Sequence, residues 1–576
     1  MKTAIPVVLL ALATLAGCED ASDALEPGDP ADPGEASLDA GVGWGGQGGA
    51  GGAAGGGGWG GAGGEGGGWG APDAGAWGAE SDAAPTPGNT NVNLGGAQDI
   101  GYFRRLLADR IVPQSDDIDA AGFFAEHHTP LPTPDCGEQV CLQAMLGVMA
   151  NLINGNNCTL LQLGLNSPLV ADPRNRPPLS LTVVVDVSGS MSADGKLEFV
   201  REGLGQMVNE LNDDDRIALV KYSSDATLVQ PMIDIRGNRN ALHGLIDRLV
   251  PEGATNIHDG LDFGYREAFR HYDSGRQNRL ILLSDGVATT GITDDAAILD
   301  LSRRYNREGV GLTTVGLGTD FNLPLMRGLA EQGDGNFYFV EHAAAVEEVF
   351  TEELSYFTVP VAFDVELRMA PGSDYRVVRA YGSRLWESTP DGGGAVVVPS
   401  VFLAHRVSHG DVGEGGTRRG GGSALLVELM PEPSPQREPG EARVAVVDLR
   451  FREPGTDVIV QQQVRVTYPD EPDVLRLEGF FDNAIVEKSF VMLNIYVGIT
   501  VALDRFHFER DGAGAVGMLR ALIAAVADYE DSANSGDGDV DMQLDIDLLE
   551  ELVEVMIANG ATDPDLPPEE DPWPAD

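Results

Sequence analysis

Apolar residues in the middle of the chain fall into two alternating kinds of run. Short, nearly unbroken stretches, Leu181 to Val185, Arg216 to Tyr222, Arg279 to Leu283, Gly311 to Leu317 and Asn336 to Val340, read as strands buried on both faces. Between them, apolar residues recur at intervals of three and four, over Lys196 to Leu211, Arg239 to Leu249, Ile257 to Tyr272, Asp295 to Glu308 and Pro324 to Ala330, with Ala344 to Phe357 closing the segment. This alternation predicts a doubly wound, Rossmann-like α/β sheet over residues 179–358. In such sheets ligands bind beyond the carboxyl ends of the strands, so residues just after each strand are the ones to read for chemistry.

The flanks have a different period. Residues 96–178 hold a helical stretch (Tyr102 to Ile111), a Pro-rich stretch (Pro130 to Pro134) and two apolar runs, Val140 to Ile153 and Cys158 to Leu165. Asn154-Gly155-Asn156-Asn157 separates those runs as a hairpin turn. Over residues 359–472 the period-two alternation of half-buried strands returns, in Phe363 to Met369, Tyr375 to Tyr381, Ala395 to Phe402, Ser423 to Leu429, Ala442 to Phe451 and Val458 to Tyr468. The simplest arrangement joins strands from both flanks in one β-sandwich, with the α/β segment inserted in a loop whose ends lie close together. Residues 473–560 turn helical, over Asn483 to Phe506, Ala515 to Tyr529 and Asp541 to Met556, and the acidic, Pro-rich 561–576 reads as disordered.

At the N-terminus, Lys2 precedes an apolar run from Ala4 to Ala16 that is too short to span a bilayer and reads as a secretory signal; no other segment is expected to span. The run ends in Leu15-Ala16-Gly17-Cys18, which resembles the lipobox at which bacterial signal peptidase cuts and the Cys is acylated. Residues 1–18 are therefore expected to be a lipoprotein signal, with Cys18 carrying acyl chains that hold the protein on a membrane. Glu19 and Asp20 leave open which membrane of a bacterial cell envelope, and which face. Residues 19–95 are expected to be a disordered linker, dominated from Gly41 to Gly78 by Gly, with Trp44, Trp59, Trp69 and Trp77 scattered through it and no apolar periodicity. As a flexible coil this linker has an end-to-end distance of about 50 Å, which places the folded part clear of the lipid.

A formal net charge of −52 makes nucleic acid and anionic lipid poor partners and favours cations, basic proteins and metal-bridged contacts. With Cys18 lipidated, Cys136, Cys141 and Cys158 permit one disulfide and leave one thiol; their spacing selects none of the three pairs and makes no zinc motif.

Oxygen donors cluster where the fold class says to look. Directly after Leu181 to Val185 comes Asp186-Val187-Ser188-Gly189-Ser190-Met191, a tight turn carrying one carboxylate and two hydroxyls. Gly253-Ala254-Thr255-Asn256 opens a helix with Thr255, and Ser284-Asp285-Gly286 follows another strand with Asp285. Five such side chains at one sheet edge suit a hard cation, Mg²⁺, Mn²⁺ or Ca²⁺, and not zinc. The competing reading, turn and N-cap residues, accounts for each residue alone but not for the ordered set.

The set resembles the von Willebrand factor type A domain and its metal-ion-dependent adhesion site, with Asp186, Ser188 and Ser190 as the Asp-x-Ser-x-Ser element, Thr255 in the second loop and Asp285 in the third. The resemblance covers about a third of the chain. It implies that Ser188, Ser190 and Thr255 contact or water-bridge the metal, that Asp186 and Asp285 act partly through water, and that an acidic side chain of a partner protein fills the vacant position. Together with the lipobox, the flanks look like bacterial lipoproteins that carry this domain between characteristic N- and C-terminal regions. The expected function is metal-dependent partner binding without catalysis or a small-molecule substrate. The alternatives are a structural envelope protein stiffened by its metal, and a metal-dependent hydrolase, for which the sequence supplies no convincing base.

Other signals carry less. Asp262-Phe263-Gly264 falls in a helix without kinase partners, and Gly316-Leu317-Gly318 lacks a dinucleotide site's third Gly and reads as a turn. His127-His128 reads as a solvated loop pair, and Asp537, Asp539, Asp541, Asp545 and Asp547 as a solvated charge run, because the run lacks the Gly and Glu of a calcium loop.

Overall fold

The computed structural model describes residues 90–93, 100–153, 157–169, 176–333, 335–340, 360–403, 424–432, 443–456, 458–468, 479–533 and 539–564. The leader with Cys18, the Gly-rich linker as far as Asn89, the turn at 154–156, the closing helix expected at 344–357 and the tail from 565 lie outside the described residues.

Three strands precede the α/β segment: β1 (Thr90–Asn93), β2 (Cys141–Ala150) and β3 (Asn157–Ser167). The segment itself contributes β4 (Leu179–Asp186), β5 (Arg216–Tyr222), β6 (Ala226–Asp234), β7 (Gln277–Ser284), β8 (Val310–Leu317) and β9 (Phe337–Val340). Its helices are α3 (Lys196–Glu210), α4 (Arg239–Ile246), α5 (Ile257–Arg270), α6 (Asp295–Asn306) and α7 (Leu323–Gln332), preceded in the N-terminal flank by α1 (Gly101–Ala108) and α2 (Ala120–Ala125). The six strands order as β6-β5-β4-β7-β8-β9, parallel except for β6.

Every residue of β4 is buried, which is why Leu-Ser-Leu-Thr-Val-Val-Val-Asp reads as an unbroken run. Successive side chains point to opposite faces. Val183 and Val185 join the core under α3 and α4, while Val184 joins the one under α5, α6 and α7. Helix starts are fixed by side-chain caps: Asn256 accepts from the Asp259 N–H, Asp294 from Ala297 and Asn322 from Leu325. The antiparallel edge strand β6 has no counterpart in the sequence reading. Its residues alternate weakly and include Pro231, which an edge strand tolerates.

The flanks form one antiparallel sheet. β2 and β3 make a hairpin in register from Cys141↔Asn166 to Ala150↔Asn157. The other edge of β3 pairs with β14 (Leu425–Pro431), itself paired with β11 (Tyr375–Tyr381), and, farther along, with β1. β1 in turn pairs with β13 (Gly394–Leu403), which carries the short β12 (Glu387–Ser388) and continues to β10 (Pro360–Pro371), β15 (Ala445–Arg452) and β16 (Ile459–Val466). Strands from before and after the α/β segment are thus woven together, and one core takes Leu146 and Leu161 from the first group with Val365, Val398 and Leu449 from the second. The linker expected to be disordered to residue 95 gives up Thr90–Asn93 to this sheet, because Val92 fills the core between β3 and β13.

Three further helices, α8 (Ala484–Asp504), α9 (Gly512–Ala533) and α10 (Val540–Ala558), pack on the N-terminal flank around a second core. Two expectations about this region change. The helix containing Ala484–Glu509 and the stretch Gly512–Glu530 are long and apolar enough to cross a bilayer, contrary to the expectation that nothing after the leader is; in the first, 67% of the apolar window is buried inside the protein. Of the polar residues read as solvated, His127, His128, Asp539, Asp541 and Asp545 are buried, and Asp537 lies outside the described residues. Asp539, the N-cap of α10, and Asp541 hold the Lys488 ammonium at 2.6 and 3.0 Å, and His127 Nε2 lies 2.7 Å from Asp545 Oδ2 with both side chains fully buried. The sequence showed a run of charge. The i, i+4 spacing of Asp541 and Asp545 turns both toward Lys488 and His127, which lie far away in the chain. Asp547, on another face, is exposed as expected.

Cys136 and Cys141 form a disulfide, which chooses among the three open pairs.

Replacing Lys488 with Met should lower unfolding stability by about 3–5 kcal/mol, because it strands two buried carboxylates without their cation. Chemical denaturation of the variant beside the unaltered chain measures this.

Candidate metal centre

Three loops leave the carboxyl edge of the central sheet and meet beyond β4. The first begins at Asp186, the last residue of β4, and runs through a 3-10 turn at Gly189–Ser192. The second precedes α5 and contains Thr255; the third follows β7 with Asp285. Backbone hydrogen bonds fasten the first loop to the second, since the Gly189 N–H donates to the Gly253 carbonyl at 3.2 Å. Gly253 sits at φ +70°, and a Cβ there would press on the hydroxyls of Ser223 and Ser224, so glycine is needed for the approach.

The side chains form a connected set. Asp186, with no solvent exposure, accepts the Ser188 N–H on Oδ1 at 2.8 Å and the Ser284 hydroxyl on Oδ2 at 3.0 Å. Ser188 Oγ lies 3.0 Å from Ser190 Oγ, which donates to Asp285 Oδ1 at 2.8 Å. Thr255 and Ser190 both border Gly286: a Cβ on Gly286 would lie 3.7 Å from Thr255 Oγ1 and 3.9 Å from Ser190 Oγ. All five candidate residues therefore border one small space.

Three groups here escaped the sequence reading. Ser284 anchors Asp186, and Thr289 Oγ1 accepts the Thr255 N–H at 3.0 Å. Lys196, the first residue of α3, is buried and donates to Asp285 Oδ2 at 2.9 Å. Its signal was a lysine opening an amphipathic helix one short loop after the Asp-x-Ser-x-Ser element.

Burial pushes the Asp186 carboxyl up to about 6, and the nearby Asp285 adds to the shift, while hydrogen bonds from Ser188 and Ser284 oppose it. A shift of that size corresponds to about 3 kcal/mol, so an ionised Asp186 is a strained group awaiting a positive charge.

The donors fit a hard divalent ion. They are three hydroxyls and two carboxylates, and Thr255 is 5% exposed. No group of three or more His, Cys, Asp and Glu able to hold a metal occurs among those residues, so ligation here depends on the hydroxyls.

Residues 180–352 match the von Willebrand factor type A domain family. The central segment is a von Willebrand factor type A domain. The uncharacterized protein YfbK of Escherichia coli is 32% identical over 195 residues, which is 34% of this chain and 34% of YfbK. The matched part thus spans about a third of that relative's length. Among solved structures, a von Willebrand factor type A protein from Catenulispora acidiphila is 16% identical with a TM-score of 0.45, covering 69% of this chain and 90% of that one. Proximal thread matrix protein 1 from the mussel byssus, solved with a zinc-occupied metal-ion-dependent adhesion site, is 23% identical with a TM-score of 0.27, covering 32% of this chain and 46% of its own.

The Asp186 shift sets a pH dependence for the A domain. Because its folded value lies above the ordinary 3.8, the metal-free fold is favoured by protonated Asp186 below about pH 4, and that contribution is lost as pH rises through about 6. A bound cation needs the ionised form and reverses the preference. The rise in melting temperature on adding Mg²⁺ should therefore be large at pH 7.5, shrink toward zero at pH 5, and vanish at both in Asp186→Asn. A scanning-fluorimetry series over that range checks it.

Proposed function

We propose that the A domain holds a divalent cation, Mg²⁺ before Mn²⁺ or Ca²⁺, on Ser188, Ser190, Thr255, Asp186 and Asp285, and through it captures an acidic side chain of a partner protein. The observation that carries this reading is the convergence of these five residues from three loops at the carboxyl edge of the sheet. Lys196 offsets the Asp285 charge. A metal surrounded by neutral hydroxyls and one uncompensated carboxylate stays electrophilic, and a partner's carboxylate completes it more favourably than water does.

The reading is one of binding, not turnover. Asp186, the nearest candidate base, is enclosed and already accepts from Ser188 and Ser284, and the Lys196 ammonium is committed to Asp285. The proposal extends to the rest of the chain. Acylation of Cys18 would tether the protein to a bacterial envelope membrane, with the Gly-rich linker giving the A domain reach. In this setting the partner is another protein, in adhesion or complex assembly, and neither nucleic acid nor a small substrate.

Crosslinking and pull-down from native envelopes should recover a partner in Mg²⁺ and lose it in EDTA and in Asp186→Ala. Recovery indifferent to both would reject metal-bridged capture. A Mg²⁺-induced thermal shift without any recovered partner would leave the metal as a stiffener of the domain. Membrane fractionation of Cys18→Ala, expected in the soluble fraction, tests the anchor separately.

A further inference from the structure

The loops around the metal centre carry a second pattern, one of charge. Asp194, Asp225, Glu252, Asp294, Asp295 and Asp320 are all exposed, and all lie on segments at the carboxyl edge of the central sheet. Lys221 meets Glu252 at 2.5 Å, whereas the other five have no cationic partner among the described residues. Across residues 187–196, 223–225, 250–256, 285–295 and 318–322 the sole Lys or Arg is Lys196, which is buried on Asp285. The same loops hold three exposed aliphatic side chains, Val250 at 53%, Val287 at 47% and Ile292 at 45%. The metal centre thus sits within an acidic rim interrupted by aliphatic patches.

This rim discriminates among carboxylates. An acidic side chain approaching the cation meets a rim of five uncompensated negative charges, and such charges act over about a Debye length, about 10 Å at 0.1 M salt. Basic residues beside that carboxylate would turn the repulsion into attraction. The chain itself is rich in the disfavoured kind of ligand: residues 19–89 contain twelve Asp and Glu and residues 565–576 five, with no Lys or Arg in either stretch. Segments joined to the A domain compete at effective concentrations on the order of millimolar, so without opposition they would fill the site. A second copy, with a net charge of −52, is opposed in the same way.

Resting on the metal-capture reading, we infer that the partner is a protein presenting its carboxylate within a basic and aliphatic surface, and that the acidic rim keeps the chain's own acidic segments and further copies of the chain off the metal. Basic groups would face Asp225, Asp295 and Asp320, and aliphatic ones Val287 and Ile292.

Fluorescein-labelled peptides titrated into the full chain with Mg²⁺ test this by anisotropy. The probes are Lys-Leu-Asp-Ile-Lys, Glu-Leu-Asp-Ile-Glu and Lys-Leu-Asn-Ile-Lys. The first should bind about tenfold or more tightly than the second near 50 mM salt, with the gap closing toward 500 mM. EDTA and the Asn peptide should each abolish binding, and the double variant Asp225→Lys, Asp320→Lys should erase the preference while leaving Mg²⁺ uptake unchanged. Equal affinity for the two Asp peptides would overturn the rim inference and leave metal capture standing. If the Asn peptide binds as well as its Asp counterpart, if binding ignores EDTA, or if no peptide binds a chain that takes up Mg²⁺, metal capture fails and the inference falls with it.

Discussion

Asp186 ends a strand that is buried along its whole length, and a carboxylate in that position must find positive charge or donors from its own surroundings. The protein supplies donors from Ser188 and Ser284, enough to fix the geometry but not to return the group to ordinary acidity. Its neighbour Asp285 is treated differently, with an ammonium placed against it by the first turn of α3. Two acids a few residues from one another in space are thus left in unlike states, one compensated and one not. The uncompensated one defines where a cation is needed, and the surrounding hydroxyls define what kind.

The rest of the architecture serves to hold three loops at that edge. Parallel pairing of β4 with β5 and β7 brings the ends of these strands level, with Asp186 opposite Tyr222 and Val185 opposite Leu283. Tyr222, wholly buried, donates its hydroxyl to the Leu283 carbonyl beneath the site, and Gly260 lets α5 approach that ring closely. The far edge of the segment is tied to the flank by Arg327, which reaches from α7 to the carbonyls of Asp116 and Asp117. Glu331 on the same helix accepts the Arg384 N–H.

The A domain was legible in the sequence because its determinants are local. An unbroken apolar run, a turn of Asp and Ser, and a helix with period 3.6 each lie within a dozen residues, and their order specifies the fold. The flanking sheet was legible as alternation but not as topology, since β1 lies between β3 and a β13 that comes more than about two hundred residues farther along the chain. The buried His127–Asp545 and Lys488–Asp541 contacts were misread for the same reason. Charge density alone marks solvent, and only the partner's position, absent from any local window, reveals enclosure. Lys196 falls between the cases: its place was plain, and its role depended on Asp285 turning toward it.

The short strand β1 gives the fold a mechanical property. It comes directly after the Gly-rich stretch and lies between β3 and β13, antiparallel to both, with Val92 in register with Leu165 on one side and Leu403 on the other. A pull on the preceding chain is therefore delivered along a strand gripped on two edges, and the hydrogen bonds on both sides must shear together instead of unzipping one by one. Load carried between an anchored N-terminus and a bound partner would thus enter through β1 and leave through the three loops of the A domain, so a shear-resistant strand stands at one end of that path and the cation at the other.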